Sequence, residues 1–381
     1  MKRFFCFLLL LAIGLPLLAQ NSGQYEYIKL DESRYRHSKD YKACNKYQKD
    51  AIIFMDMVAD THPYYVKAER REEWLAQKSA LLEQCKDIRT DEAFVDVLNA
   101  VLRPLHDGHT SLVRKNGQAA ETQEKPGTAG TVDKQQVMRP HRSNYDYTLF
   151  PDQGICYLQF NRCSDMTGNP FERFLEDMFA RMEEAGIKTL VVDAQYNPGG
   201  NSRLCSELLL HLFPADQLKD FTTSIRFSDL LSAQYPRMAQ DKKNWERRGH
   251  VDELYQFPAK KLSEGFRQSK LFEGQVIFVM GRRTFSSAGI LMTLARDNHI
   301  GTIIGTTSTF SPSHYGELLF YSLPNTGVQG TVSCKYFARP DASSVDEPVL
   351  KPDIEIDLDD KEASWKFICE TYGYNSKAEP R

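Results

Sequence analysis

An α/β fold preceded by a helical unit is what this sequence predicts, on three observations. From about residue 40 to 105, apolar side chains recur at helical spacing. From about residue 144, short apolar runs alternate with amphipathic stretches. Between them lies a polar stretch with neither periodicity.

Taken in order, Lys2 and Arg3 precede an apolar stretch from Phe4 to Ala19, a pattern that predicts a signal peptide over 1–19 and export to the periplasm or cell envelope. The stretch is shorter than the roughly 20 residues that cross a bilayer, which weighs against a retained anchor. An N-terminal segment, 20–39, follows. The helical domain, 40–113, is expected to hold about three helices, in "AIIFMDMV", "EEWLAQKSALLEQC" and "DEAFVDVLNAVL". Thr90, with Asp91 and Glu92, has the chemistry of a helix start. Residues 114–143, dominated by Gly, Gln, Lys, Thr and Pro, read as a polar linker.

The remaining part, 144–381, is the α/β core. "YDYTLF", "GICYLQF", "TLVVDA", "QVIFVMG" and "TIIG" read as strands. Phe171, Phe174, Leu175, Met178, Phe179 and Met182 trace one face of a helix ending at Gly186. Further helices are expected from Ser202 to Leu212 and from Ser286 to Arg296. Residues 230–268 read as an insertion, and the carboxyl-terminal part as strands and turns with little helix.

Composition narrows the function. A net charge of −3 spread over 381 residues leaves no basic footprint for nucleic acid. There is no CxxC, no Cys/His cluster at metal spacing, no P-loop and no dinucleotide fingerprint, so neither metal nor cofactor is expected. Cleavage of the signal would leave seven cysteines, of which Cys44 and Cys85 form a possible pair.

Three stretches carry candidate chemistry. In "DAQYNPGGN", Gly199 and Gly200 let the backbone approach a ligand at a strand-to-helix turn. In "TFSSAG", Ser286 stands where a buried strand turns into a helix, as an ordinary helix cap or as a nucleophile in need of a base. In "HDGHTSL", His109 offers an imidazole, the side chain best suited to proton transfer near neutrality.

Together, "LRPLHDGHTSL", "LVVDAQYNPGGN", "GRRTFSSAGILMTLARDNHIGTIIGTTS" and "LKPDIEID" resemble, in order and spacing, the carboxyl-terminal processing (tail-specific) serine peptidases, in particular the tricorn-core-like branch. "THPYY" and "EEWL" extend the resemblance into the helical unit. It implies a Clp-protease/crotonase-like core without a PDZ domain, acting on a peptide or protein substrate. It implies Ser286 as nucleophile, His109 as general base, and an oxyanion site from the N–H groups of Gly199 or Gly200 and of Ser287. The branch that uses lysine as base would place it near Ser311, where this chain has none; His314 is close by as a second candidate. An acidic partner is implied near the carboxyl end, at Glu347 or Asp346, with Glu347 preferred. Gly108 replaces the serine that precedes the base in tricorn, Gln195 stands where many members have arginine, and Gly289 replaces a common glutamate. The competing reading is an inactive family member that binds an apolar ligand or a peptide.

Overall fold

The computed structural model describes residues 26–113, 138, 143–259 and 261–374. The expected signal peptide, and the expected linker apart from Met138 and Ser143, lie outside them. Among the described residues the helices are α1 (Lys39–Ala43), α2 (Lys46–Thr61), α3 (Ala68–Ala76), α4 (Lys78–Lys86), α5 (Asp91–Leu102), α6 (Phe171–Glu184), α7 (Ser202–Leu212), α8 (Asp229–Gln234), α9 (Met238–Arg247), α10 (Ser287–Asp297) and α11 (Lys361–Tyr372). The strands are β1 (Ile28–Lys29), β2 (Ser111–Val113), β3 (Tyr145–Phe150), β4 (Ile155–Phe160), β5 (Thr189–Asp193), β6 (Thr222–Ile225), β7 (Tyr255–Gln256), β8 (Gln275–Met280), β9 (Thr302–Gly305), β10 (His314–Ser322), β11 (Gln329–Ala338) and β12 (Ile354–Glu355).

One sheet runs β12-β9-β8-β5-β4-β3, with β4, β5, β8, β9 and β12 parallel and β3 antiparallel at its edge. Its strands are apolar runs because both faces are covered. Leu190, Val192, Phe278 and Met280 pack with α6, α7 and α10, while Val191, Ile277 and Val279 face the layer that contains Ile368 of α11. The alternation follows from successive strand side chains pointing to opposite faces.

The helix α11 departs from the expectation of little helix near the carboxyl end. Its start is set by Asp360, whose carboxylate accepts the Ala363 N–H at 2.9 Å. Its apolar side then covers the second face of the parallel sheet, which would otherwise be left open to water.

The second sheet has the order β1-β10-β11-β6-β7, with β2 also paired to β11. The helical unit shares its core with this sheet: Phe54, Trp74, Leu81 and Leu98 lie in one buried cluster with Leu319, Val332 and Cys334. The run "EEWLAQKSALLEQC" is two helices, not one. The Gln77 N–H bonds three residues back to Trp74 O at 3.2 Å, which breaks the axis there. Segment 230–268 holds most of α8, all of α9 and the edge strand β7, which pairs with β6. The seven described cysteines are free; Cys44 Sγ donates to Asp40 O, and Cys85 is buried in the helical core.

Candidate active site

The site lies at the carboxyl ends of the adjacent parallel strands β5 and β8, where Asp193, the last residue of β5, pairs with Val279, one residue before the end of β8. Open parallel sheets present ligand-binding loops at this end. After β5, Asn197 is fully buried, donates its side-chain amide to Phe160 O at 2.8 Å, and accepts the Gly199 N–H at 2.8 Å. Gly199 and Gly200 then take φ of +99° and +136°, values that a side chain strongly disfavours. A Cβ on Gly199 would lie 2.7 Å from Ser286 Cβ and 2.8 Å from Ser287 N. The glycine turn is thus pressed directly against the start of α10.

After β8, Thr284 fixes the second loop to the first: its hydroxyl donates to Ala194 O at 2.8 Å and accepts the Gly281 N–H at 2.9 Å. The Phe285 N–H reaches Asn197 O at 3.0 Å, and Ser287 Oγ donates to Gly200 O at 2.7 Å. Held from both sides, Ser286 has φ +51° and ψ −125°, a strained conformation for a residue with a side chain. It precedes α10 but makes no side-chain cap. Its Oγ instead lies 3.2 Å from His109 Nε2.

His109 arrives from the loop after α5. Asp107 shapes that loop by accepting the His109 backbone N–H at 2.9 Å through Oδ1. The same oxygen is 3.5 Å from His109 Nδ1. With a carboxylate facing Nδ1, that nitrogen carries the proton and Nε2 is free to accept from Ser286 Oγ. Thr331 Oγ1 donates to His109 O at 2.8 Å, fixing the loop to β11, and the ring packs against Phe285 at 5.0 Å. Gly108 leaves room for that ring: a Cβ there would stand 2.7 Å from Phe285 Cζ.

Asp107 is almost completely buried, with 1% of its side chain exposed. Burial is the largest single influence and would raise its carboxyl, but hydrogen bonds from His109, His62 and Thr110 outweigh it and hold the group far below the usual carboxylate range. Asp107 is therefore a fixed negative charge beside His109.

The structure brings Ser286, Ser287, His109, Gly199 and Gly200 together; it does not bring Glu347 to them. Glu347 pairs with Arg339, whose guanidinium also holds Asp297, at 2.5 and 3.1 Å. This ion cluster ties the segment after β11 to the end of α10, while Asp346 is exposed. The carboxylate next to the imidazole is Asp107, two residues before it in "HDGHTSL", and sequence reasoning did not assign it. Its signal was the Asp-Gly-His spacing itself, since an Asp side chain commonly accepts the backbone N–H two residues on. His314 stacks on Phe337 at 5.0 Å and donates Nδ1–H to Pro312 O at 3.2 Å; burial lowers its pKa to about 4, so it is uncharged near neutrality.

Gly199 has already given its N–H to Asn197, which leaves Gly200 and Ser287 as the candidate oxyanion donors. Gln195, where the resemblance expects arginine, donates to Asp193 at 2.9 Å and accepts Lys361 Nζ at 2.8 Å, so a cation from α11 stands at this place. Gly289 is dictated by Phe310, whose ring would overlap any added Cβ. A cavity of about 350 Å³ opens beside His109, walled by Leu105, Phe285, Phe310, His314 and Tyr315, with Thr309 and Ser311 at its polar side. Among the described residues, no group of three or more His, Cys, Asp or Glu is placed to hold a metal ion.

No curated protein matches the chain at a significant level. Mature CPAF has a similar fold, with a TM-score of 0.59, 10% identity, and coverage of 86% of this chain and 96% of that one. A provisionally assigned peptidase from Parabacteroides merdae ATCC 43184 gives 0.52 at 17% identity, over 81% of this chain and 89% of that one. The model of peptidase family S41 matches residues 154–356, a little over half the chain, and spans both the glycine turn and Ser286. The chain belongs to peptidase family S41 and is a serine peptidase with a mixed α/β, Clp-protease-like fold.

Proposed function

We propose that this chain is an exported endopeptidase or carboxyl-terminal processing peptidase that works through an acyl-enzyme on Ser286. The observation that carries the reading is the 3.2 Å contact between Ser286 Oγ and His109 Nε2, made by a strained serine that caps nothing. Ser286 attacks the peptide carbonyl as His109 Nε2 takes its proton, and the charge that forms on the ring is stabilised by Asp107. The tetrahedral oxyanion sits against the N–H groups of Gly200 and Ser287, at the positive end of α10. His109 then gives its proton to the leaving amine, and water releases the acyl group.

The cavity touches His109, the group that protonates the leaving amine, and its Leu105, Phe285 and Phe310 walls suit an apolar or aromatic side chain next to the scissile bond. Export is supported by the basic start and the apolar run to Ala19; among the described residues no helix is long and apolar enough to cross a membrane. The test is labelling with a fluorophosphonate: the wild-type chain is modified, and Ser286→Ala is not, at an unchanged circular dichroism spectrum. Equal labelling of the variant would place the nucleophile elsewhere.

A further inference from the structure

We propose that His62 is a positioning residue for the Ser286 reaction, acting with Ser333 as a clamp on the carboxylate that orients His109. This rests on the assignment of Ser286, His109 and Asp107 above. Asp107 uses its two oxygens differently. Oδ1 faces His109, while Oδ2 receives His62 Nε2 at 3.1 Å, Thr110 Oγ1 at 2.6 Å and Ser333 Oγ at 2.7 Å. Three donors on one oxygen, from the turn after α2, the loop itself and β11, set the rotation of the carboxylate and keep the other oxygen turned toward the imidazole.

The His62 tautomer is fixed by the fold. The Tyr64 N–H donates to His62 Nδ1 at 3.1 Å, so the ring proton resides on Nε2 and is directed at Asp107. The side chain is 0% exposed and packs against Tyr315 at 4.5 Å, and the His62 carbonyl accepts Arg226 Nη1 at 3.0 Å. Thr110 is oriented likewise, since its Oγ1 accepts the Ser333 N–H at 3.0 Å and gives its own hydrogen to Asp107.

The ordinary role for His62 is as cap of the short helical turn Pro63–Val66, where it accepts the Tyr64 N–H. A cap needs only Nδ1, and asparagine serves as well. It does not call for a second nitrogen aimed at a buried carboxylate.

Two substitutions separate the roles. His62→Asn keeps the cap acceptor and is too short to reach Asp107. His62→Gln places an amide N–H near the position of Nε2 and gives up the cap. We expect His62→Asn to lower kcat and the fluorophosphonate labelling rate by roughly ten- to a hundredfold, the worth of one hydrogen bond to a charged group, with KM little changed. His62→Gln is expected to recover most of that loss whatever its melting temperature. Equal rates in the two variants, or rates that follow melting temperature, would overturn the proposal.

Should neither variant fold, Ser333→Ala decides, because it removes a second donor from the same oxygen; a wild-type labelling rate there overturns the clamp. Ser286→Ala is run in parallel. If it still labels, the assignment of the nucleophile fails. If it is silent while the His62 and Ser333 variants match the wild type, only the clamp fails.

Discussion

Asp107 accepts the backbone N–H of His109 at 2.9 Å with the same oxygen that stands 3.5 Å from that residue's Nδ1. One carboxylate therefore both folds the loop and faces the imidazole, two tasks that a carboxylate from elsewhere in the chain would have to divide. Asp107→Asn is expected to lower kcat by roughly 10³–10⁴-fold, because an amide carries no charge to stabilise the imidazolium and its NH2 is set among groups that themselves donate. Glu347→Gln, which touches only the Arg339 cluster, is expected to leave the rate of Ser286 labelling unchanged. A side-by-side labelling assay of the two variants checks both statements.

Gly199→Ala tests the close approach of the two loops. The added methyl would meet Ser286 Cβ at 2.7 Å and Ser287 N at 2.8 Å, at a backbone angle of +99° that alanine disfavours. The loops must separate, and the oxyanion donors with them. We expect kcat to fall by about 10²–10³-fold, the size of a lost oxyanion donor, while the circular dichroism spectrum is preserved. An active Gly199→Ala enzyme would show that the turn does not set the donor geometry.

Phe310 forms a wall of the cavity beside His109 and fills the space above Gly289. Phe310→Leu removes part of that wall at an expected stability cost of about 1–3 kcal/mol, below the range for truncation of a buried aromatic to alanine. The measurable outcome is specificity: digestion of a peptide library should shift toward bulkier apolar residues next to the cleaved bond. An unchanged preference would separate the cavity from substrate recognition.

What the sequence made legible follows from how strongly each feature is imposed locally. Buried parallel strands must be apolar on both faces, so "TLVVDA" and "QVIFVMG" announced themselves, and the paired glycines marked a turn that side chains would obstruct. The break at Gln77 was not legible, because Trp74, Leu81 and Cys85 keep a helical rhythm across it. The helix α11 was missed although Asp360 supplies a cap, since Lys361, Glu362 and Lys366 dilute its apolar stripe. Asp107 was passed over for a different reason: its meaning depends on a loop conformation in which His106 takes φ +49° and the chain turns the carboxylate back on His109. The resemblance pointed instead to the far end of the chain, where Arg339 draws Glu347 into an ion cluster.

Glu207 gives a prediction about pH that is independent of the reaction. It lies on α7 within reach of Arg203, yet burial dominates and pushes its carboxyl up to about 7, and its Oε2 has no hydrogen-bond partner among the described residues. In the unfolded chain the same group titrates near 4.3, so between those values the folded state binds more protons than the unfolded state. Stability therefore falls as pH rises from about 4.3 to 7, and the loss is complete above the folded value. Glu207→Gln cannot titrate. Its melting temperature relative to the wild type should rise between pH 5 and pH 8, even though at pH 8 the variant gives up the charge pairing with Arg203. Thermal melts at the two pH values decide the matter: a difference between variant and wild type that stays constant, or that shrinks at pH 8, would mean that Arg203 keeps Glu207 ionised throughout.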